Sequence, residues 1–247
     1  MPYYVVFEGR KPGIYKTWSV VKPLIDKFPN ARYKSYSMLT EAEEAFAGSI
    51  PLSLASALKP IGITDIKAGS KTQITNNLVS LIDKYYSNND WTNILNVYTD
   101  GSVKNNGKKY ATGSYGVFYS DPRIMPISQE IKIDKVITTP ISELLGIIEG
   151  IKKYEKSGLR YTEVNLYTDS EYCYKSLTKW ITGWLRNNWK TANKKGTSDV
   201  KNKEEIMLAY ELCKANNVTL HHINSHTGKQ DLHSIGNEIA DMLTKCY

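Results

Sequence analysis

Cysteine is scarce: Cys173, Cys213 and Cys246 are the three thiols in 247 residues. None has metal-ligand spacing to another, and so few thiols suit a reducing compartment. Long apolar runs are missing too. No stretch approaches the roughly 20 residues of a membrane span, so no membrane partner is expected. Met1 to Arg10 moves straight into an alternating apolar pattern, without the layout of a signal peptide or an organelle-targeting helix. Nucleus or cytoplasm is the expected location. Glycine at 16 and proline at 9 are too few for a collagen-like chain. Hydrophobic residues at 41% and charged residues at 23% argue against full disorder and coiled coil. Charge is not strongly one-sided. The 32 basic and 25 acidic residues leave +7, which raises the prior for a polyanionic partner without establishing one. What is abundant is aromatic surface, with 18 tyrosines and 5 tryptophans.

The length suits two domains. The first unit is read as 1–49. Tyr3 to Phe7, Ile14-Tyr15 and Ala31 to Tyr36 read as strands, with a Gly9-Arg10-Lys11-Pro12-Gly13 turn. Ser19 to Phe28 carries Val20, Val21, Leu24 and Ile25 at helical spacing, with Pro23 placed in a first turn. Thr40 and Glu43 form a capping-box pattern. Residues 50–90 read as a connector punctuated by Pro51, Pro60, Gly62 and Gly69. Leu78, Leu81, Ile82 and Tyr85 predict one helix over Asn76 to Tyr86 inside it. The second unit is 91–247. Strands come first there, then helices and strands alternate, which predicts an α/β mixed sheet flanked by helices.

Two copies of Tyr-Thr-Asp end apolar runs, at Tyr98-Thr99-Asp100 and Tyr167-Thr168-Asp169. Functional groups in open α/β sheets gather beyond the carboxyl ends of strands. If the two strands are neighbours, both carboxylates face one crevice. Glu143 opens an apolar helix and Asp241 lies in the last one, so four acids can converge. Crowded carboxylates raise one another's pKa unless cations sit between them. Oxygen-only clusters suit Mg²⁺ or Mn²⁺. Singly, each acid has an ordinary account as a turn residue, a helix cap or a solvated helix acid.

Residues 94–247 resemble a type 1 ribonuclease H catalytic domain. The resemblance is carried by Tyr98-Thr99-Asp100-Gly101-Ser102, Ser142-Glu143-Leu144-Leu145 and Leu166-Tyr167-Thr168-Asp169-Ser170. It continues through Trp180-Ile181-Thr182-Gly183-Trp184, Trp189-Lys190-Thr191, Ser225-His226-Thr227-Gly228 and Gly236-Asn237-Glu238-Ile239-Ala240-Asp241. Residues 3–36 separately resemble the small α+β N-terminal hybrid-binding domain of that family, shared with viroplasmin-like proteins. The implied fold is a ribonuclease H-like five-stranded mixed sheet flanked by helices. The implied activity is endonucleolytic cleavage of the RNA strand of RNA–DNA hybrids, leaving 5′-phosphate and 3′-hydroxyl ends. Two Mg²⁺ ions are implied, with Mn²⁺ able to substitute. Asp100 would lie between them, Asp241 on the ion that activates water, and Glu143 and Asp169 on the ion near the leaving oxygen. His226 matches the family's mobile loop histidine, ahead of His233 in the same loop.

The resemblance also implies nucleic-acid contacts. Trp184, Lys190 and Thr191 would line the DNA channel in a basic segment carrying an extra Gly196-Thr197-Ser198. Asn202 and Thr138 match a DNA-phosphate pocket, and Asn106 matches an RNA-contacting asparagine. Thr139, followed by Pro140, replaces an asparagine that reads the minor groove, so its reach is shorter. In the small domain the candidates are Tyr4, Lys11, Trp18, Tyr33 and Lys34, and double-stranded RNA is a further partner that this domain admits. A monomer is expected, and the family resemblance also admits a dimer through the small domain. The competing reading is a non-catalytic binder of hybrids or double-stranded RNA, viroplasmin-like, against which the four intact acids stand.

Overall fold

A computed structural model of the chain describes residues 2–10, 13–29, 31–42, 45, 70–88, 93–193, 196–225 and 227–246. The small unit has strands β1 (Tyr3–Glu8), β2 (Gly13–Tyr15) and β3 (Arg32–Tyr36), with helix α1 (Trp18–Ile25) between the last two. β1 is central and antiparallel to both neighbours. Val5, Val6 and Val21 are its buried centre. α1 begins at Trp18, one residue before the expected start, and Pro23 is its sixth residue, in the second turn rather than the first. Arg10 compensates at that helix end: its guanidinium donates to the carbonyls of Pro23 at 2.7 Å and Asp26 at 2.6 Å. A cation there satisfies carbonyls that the helix leaves unpaired.

The larger unit begins with α2 (Ser70–Asn88), longer at both ends than its apolar spacing predicts. Strands β4 (Ile94–Lys104), β5 (Thr112–Tyr119) and β6 (Ile127–Glu130) follow as an antiparallel meander, and then α3 (Thr139–Ser157) and β7 (Glu163–Thr168). α4 (Glu171–Lys175) runs through a π-helical turn at Ser176–Trp180 into α5 (Ile181–Arg186). β8 (Lys190–Asn193) and β9 (Gly196–Asp199) form a hairpin where sequence pattern shows only a basic loop. α6 (Lys203–Ala215), β10 (Val218–His222) and α7 (Leu232–Leu243) complete the chain. The sheet order is β10-β7-β4-β5-β6, the mixed five-stranded sheet of the ribonuclease H-like fold.

Period-two alternation divides the sheet's side chains between two layers. Leu95, Val97, Val117, Tyr119, Val164 and Leu166 pack under α3 and α6. Tyr98, Phe118 and Tyr167 face the other way, under α7 and α2. Register aligns Phe118, Tyr98, Tyr167 and His221 across four neighbouring strands. Their rings stack from strand to strand, with Tyr98 and Tyr167 at 5.1 Å and Tyr167 and His221 at 4.8 Å. The tyrosine of each Tyr-Thr-Asp copy is therefore a plank in this ladder. Among the described residues, no helix is long and apolar enough to cross a membrane.

Candidate active site

β4 and β7 are parallel neighbours, with Tyr98 opposite Tyr167 and Thr99 opposite Thr168. The two Tyr-Thr-Asp copies thus lie side by side. One detail departs from the sequence reading. β4 does not end at Asp100 but continues to Lys104, because β5 still pairs with it there. β7 has already turned toward α4, so Asp100 borders the opening where the parallel pairing stops.

Oxygen atoms of Asp100, Glu143 and Asp169 lie within 4.8 Å of one another. α3 supplies Glu143 through a close approach to β4. A Cβ on Gly101 would come within 2.6 Å of the Glu143 backbone nitrogen, so glycine is what permits the contact. Ser142 fastens the same turn, its hydroxyl donating to the Ser114 carbonyl at 2.5 Å. Asp241 sits at the edge of the cluster. It is near enough to raise the Asp100 pKa, and Lys245 holds its carboxylate at 2.6 Å.

Burial pushes the Asp100 carboxyl up to about 8, with Asp169 and Asp241 adding repulsion and the Gly101 N–H opposing them. Burial also carries Glu143 well above the usual carboxylate range, and Asp100 and Asp169 raise it further. A second buried acid in the same unit makes a useful contrast. Asp121 and Glu143 are each 5% exposed. Asp121 takes a paired guanidinium from Arg123 and a phenol from Tyr161. Glu143 Oε2 is buried with no hydrogen-bond partner. A carboxylate oxygen left this way is costly unless a cation completes it. The three-carboxylate donor set is oxygen-only, which fits a hard divalent ion.

Asn237 was not among the expected site residues, although its motif was. Its amide donates weakly to Asp169 Oδ2 at 3.4 Å, from a side chain 3% exposed. His233 does not belong to a loop. It is the second residue of α7, stacked on Tyr167 at 4.4 Å and hydrogen-bonded to Tyr98 at 3.0 Å. Burial lowers its pKa, with Asp231 opposing. His226 and Lys11 lie outside the described residues.

The remaining candidates fall in three groups. Asn106 and Thr139 meet directly, with the Thr139 N–H donating to Asn106 Oδ1 at 3.2 Å. Thr138 is the extended N-cap of α3, without a side-chain capping bond. Trp184 stands in a row of rings, 5.7 Å from Trp180 and 6.0 Å from Trp189. Thr191 crosses the hairpin to Ser198, and Lys190 is ion-paired with Asp199 at 2.7 Å. Asn202 takes a left-handed conformation at φ 57° and donates to the Tyr172 hydroxyl. In the small unit, Trp18 lies between Tyr4 at 5.4 Å and Tyr33 at 5.5 Å. Trp18 is 40% exposed, so it is a surface residue rather than core. Lys34 is exposed and lies over the Tyr36 ring.

Fold and site together define a ribonuclease H-like domain with a carboxylate centre suited to a divalent cation. Residues 92–246 match the family described as RNase H, and residues 2–46 match the Ribonuclease H1 N-terminal domain. The chain belongs to the ribonuclease H family. It is 27% identical to Ribonuclease H1 of Rattus norvegicus, over 98% of this chain and 88% of that protein. It is 29% identical to Ribonuclease H of Schizosaccharomyces pombe, over 98% of this chain and 96% of that one. Ribonuclease H of Orientia tsutsugamushi is 35% identical, over 60% of this chain and 79% of its own length.

Proposed function

We propose that the chain is an endonuclease that hydrolyses the RNA strand of RNA–DNA hybrids, with two divalent cations at the carboxylate centre. The observation that carries this is the convergence of Asp100, Glu143 and Asp169 where the parallel β4–β7 pairing stops, with Glu143 Oε2 unsatisfied. Asp100, Glu143, Asp169 and Asp241 are the proposed ligands. The chemistry that such ions supply when bound is charge neutralisation at the phosphate and a more acidic water.

The protein's own groups prepare the place. Gly101 offers its N–H to the Asp100 and Glu143 carboxyls and keeps both acids close. Asn237 steadies Asp169, and Lys245 restrains Asp241. Without a cation, burial and mutual repulsion favour the protonated forms of Asp100 and Glu143, so metal binding is coupled to proton release. The exposed Trp180 and the half-buried Trp184 offer aromatic planes to a sugar or base, backed by Trp189 in the core, and the nearby basic hairpin offers charge to phosphate. The exposed Trp18, Tyr33 and Lys34 supply a second binding surface on the small unit.

The test is Mg²⁺-dependent cleavage of a labelled hybrid, beside duplex RNA and duplex DNA carrying one ribonucleotide. Cutting of the hybrid with 5′-phosphate products, and its loss in Asp100→Asn, is expected. Unchanged cutting by Asp100→Asn would remove the carboxylate centre from the chemistry. No cutting by the parent would favour the binding-only reading. Efficient cutting at a single ribonucleotide would contradict a requirement for a run of them, and equal cutting of duplex RNA would widen the substrate class.

A further inference from the structure

Helix α2 lies before the residues that match the catalytic family, yet it is built into that unit. Leu78, Ile82 and Tyr85 are fully buried against Tyr98, Phe118, Ile239 and Leu243. Burial of that face explains why the helix forms, since its intrinsic amphipathicity alone would leave it marginal.

Polar links join the same surfaces. The Tyr85 hydroxyl lies 3.1 Å from the Tyr98 hydroxyl. The Tyr98 hydroxyl lies in turn 3.0 Å from Nδ1 of His233. Lys84 also donates to Gln230, just before α7. α7 has no slack against this ladder: a Cβ on Gly236 would fall within 2.5 Å of the Tyr98 ring. The same helix carries Asn237, which contacts Asp169, and Asp241, which lies beside Asp100.

We infer that Tyr85 is a positioning residue for the carboxylate centre, acting through Tyr98 and His233 to set the seat of α7. Packing alone does not account for it. Phenylalanine would fill the same volume without burying a hydroxyl, and a buried hydroxyl is retained at a cost unless it is hydrogen-bonded. The partner it takes is the strand residue two positions before Asp100. A shift of α7 would move Asp241 relative to Asp100 and Asn237 relative to Asp169, and ångström-sized misplacements of reacting groups are expensive. α2 is thereby part of the enzyme's working centre. The inference rests on reading the carboxylates as the cation site.

The experiment compares Tyr85→Phe with Tyr86→Phe in the full chain. Tyr86 is the internal control, because its hydroxyl joins the same helix to the Tyr119 carbonyl on β5 rather than to α7. Two quantities are read: steady-state cleavage of a hybrid, and the Mg²⁺ concentration giving half of the maximal thermal stabilisation. Tyr85→Phe is expected to lower kcat about three- to tenfold with KM near the parent's, and to raise the Mg²⁺ midpoint by a similar factor. Tyr86→Phe is expected to lower Tm without moving either. Parental kcat and midpoint in Tyr85→Phe would overturn the inference, as would equal shifts in both variants. If the parent cuts no hybrid, the nuclease reading fails, and the Mg²⁺ midpoints still decide the role of Tyr85.

Discussion

In the proposed nuclease Asp100 serves activity at a cost in stability, and the two can be separated by pH. In the metal-free protein its carboxyl holds a proton up to about 8, against roughly 3.9 in an unfolded chain. Between those values the folded state binds the extra proton. The stability that this group contributes is therefore present at acid pH and is lost as pH rises toward about 8. Asp100→Asn removes the titration while keeping the shape. The metal-free variant should be more stable than the parent near pH 8, by about 1–2 kcal/mol, and should show a flatter dependence of Tm on pH. Equal slopes in the two proteins would mean that Asp100 is ionised when the site holds no cation. Mg²⁺ should reverse the order. It should raise the parent's Tm more at about pH 8 than at about pH 6, because fewer protons must leave. Thermal melts across pH, with chelator and with Mg²⁺, check both.

α2 separates what sequence pattern reveals from what it conceals. Leu78, Leu81, Ile82 and Tyr85 show the helix, but nothing in that spacing names the surface it covers. The structure seats Ile82 between the sheet and α7, so Ile82→Ala should destabilise the catalytic unit by about 2–4 kcal/mol in denaturant unfolding. A change near zero would make α2 a detachable connector. The Tyr-Thr-Asp pair is legible for a related reason: apolar runs closing on acids mark strands, although β4 runs on past Asp100 and the register that sets the copies side by side is a long-range fact. The hairpin β8–β9 was not legible. It is polar, lacks clean alternation, and follows Asn188 and Trp189 at φ 47° and 59°. A bulky aromatic in the left-handed region contradicts local preference, so tertiary packing decides that turn. Asn237 was visible as part of a motif, but its contact with Asp169 depends on how α7 lies.

In the proposed nuclease the two units divide the work between chemistry and affinity. The net charge of +7 is the difference between 32 basic and 25 acidic residues, of which the buried Asp100 and Glu143 are a small part. Trp18→Ala exposes the division. It should raise KM severalfold and leave kcat near the parent's, since a second linked surface adds affinity without touching the reacting bond. Raising salt should narrow the gap between parent and variant only where phosphate contacts, rather than stacking, dominate the small unit. A fall in kcat at saturating hybrid would place Trp18 in the chemistry instead. The tryptophan row at 180, 184 and 189 offers a way to watch this without a label. Three of the protein's 5 indoles stand in one file with neighbouring rings about 6 Å apart. Such rings exchange excitation, so the emission of these indoles is pooled beside the hairpin. A base laid against the exposed Trp180 would dim its partners with it, and replacing Trp18 with phenylalanine would free that optical signal from the small unit's contribution.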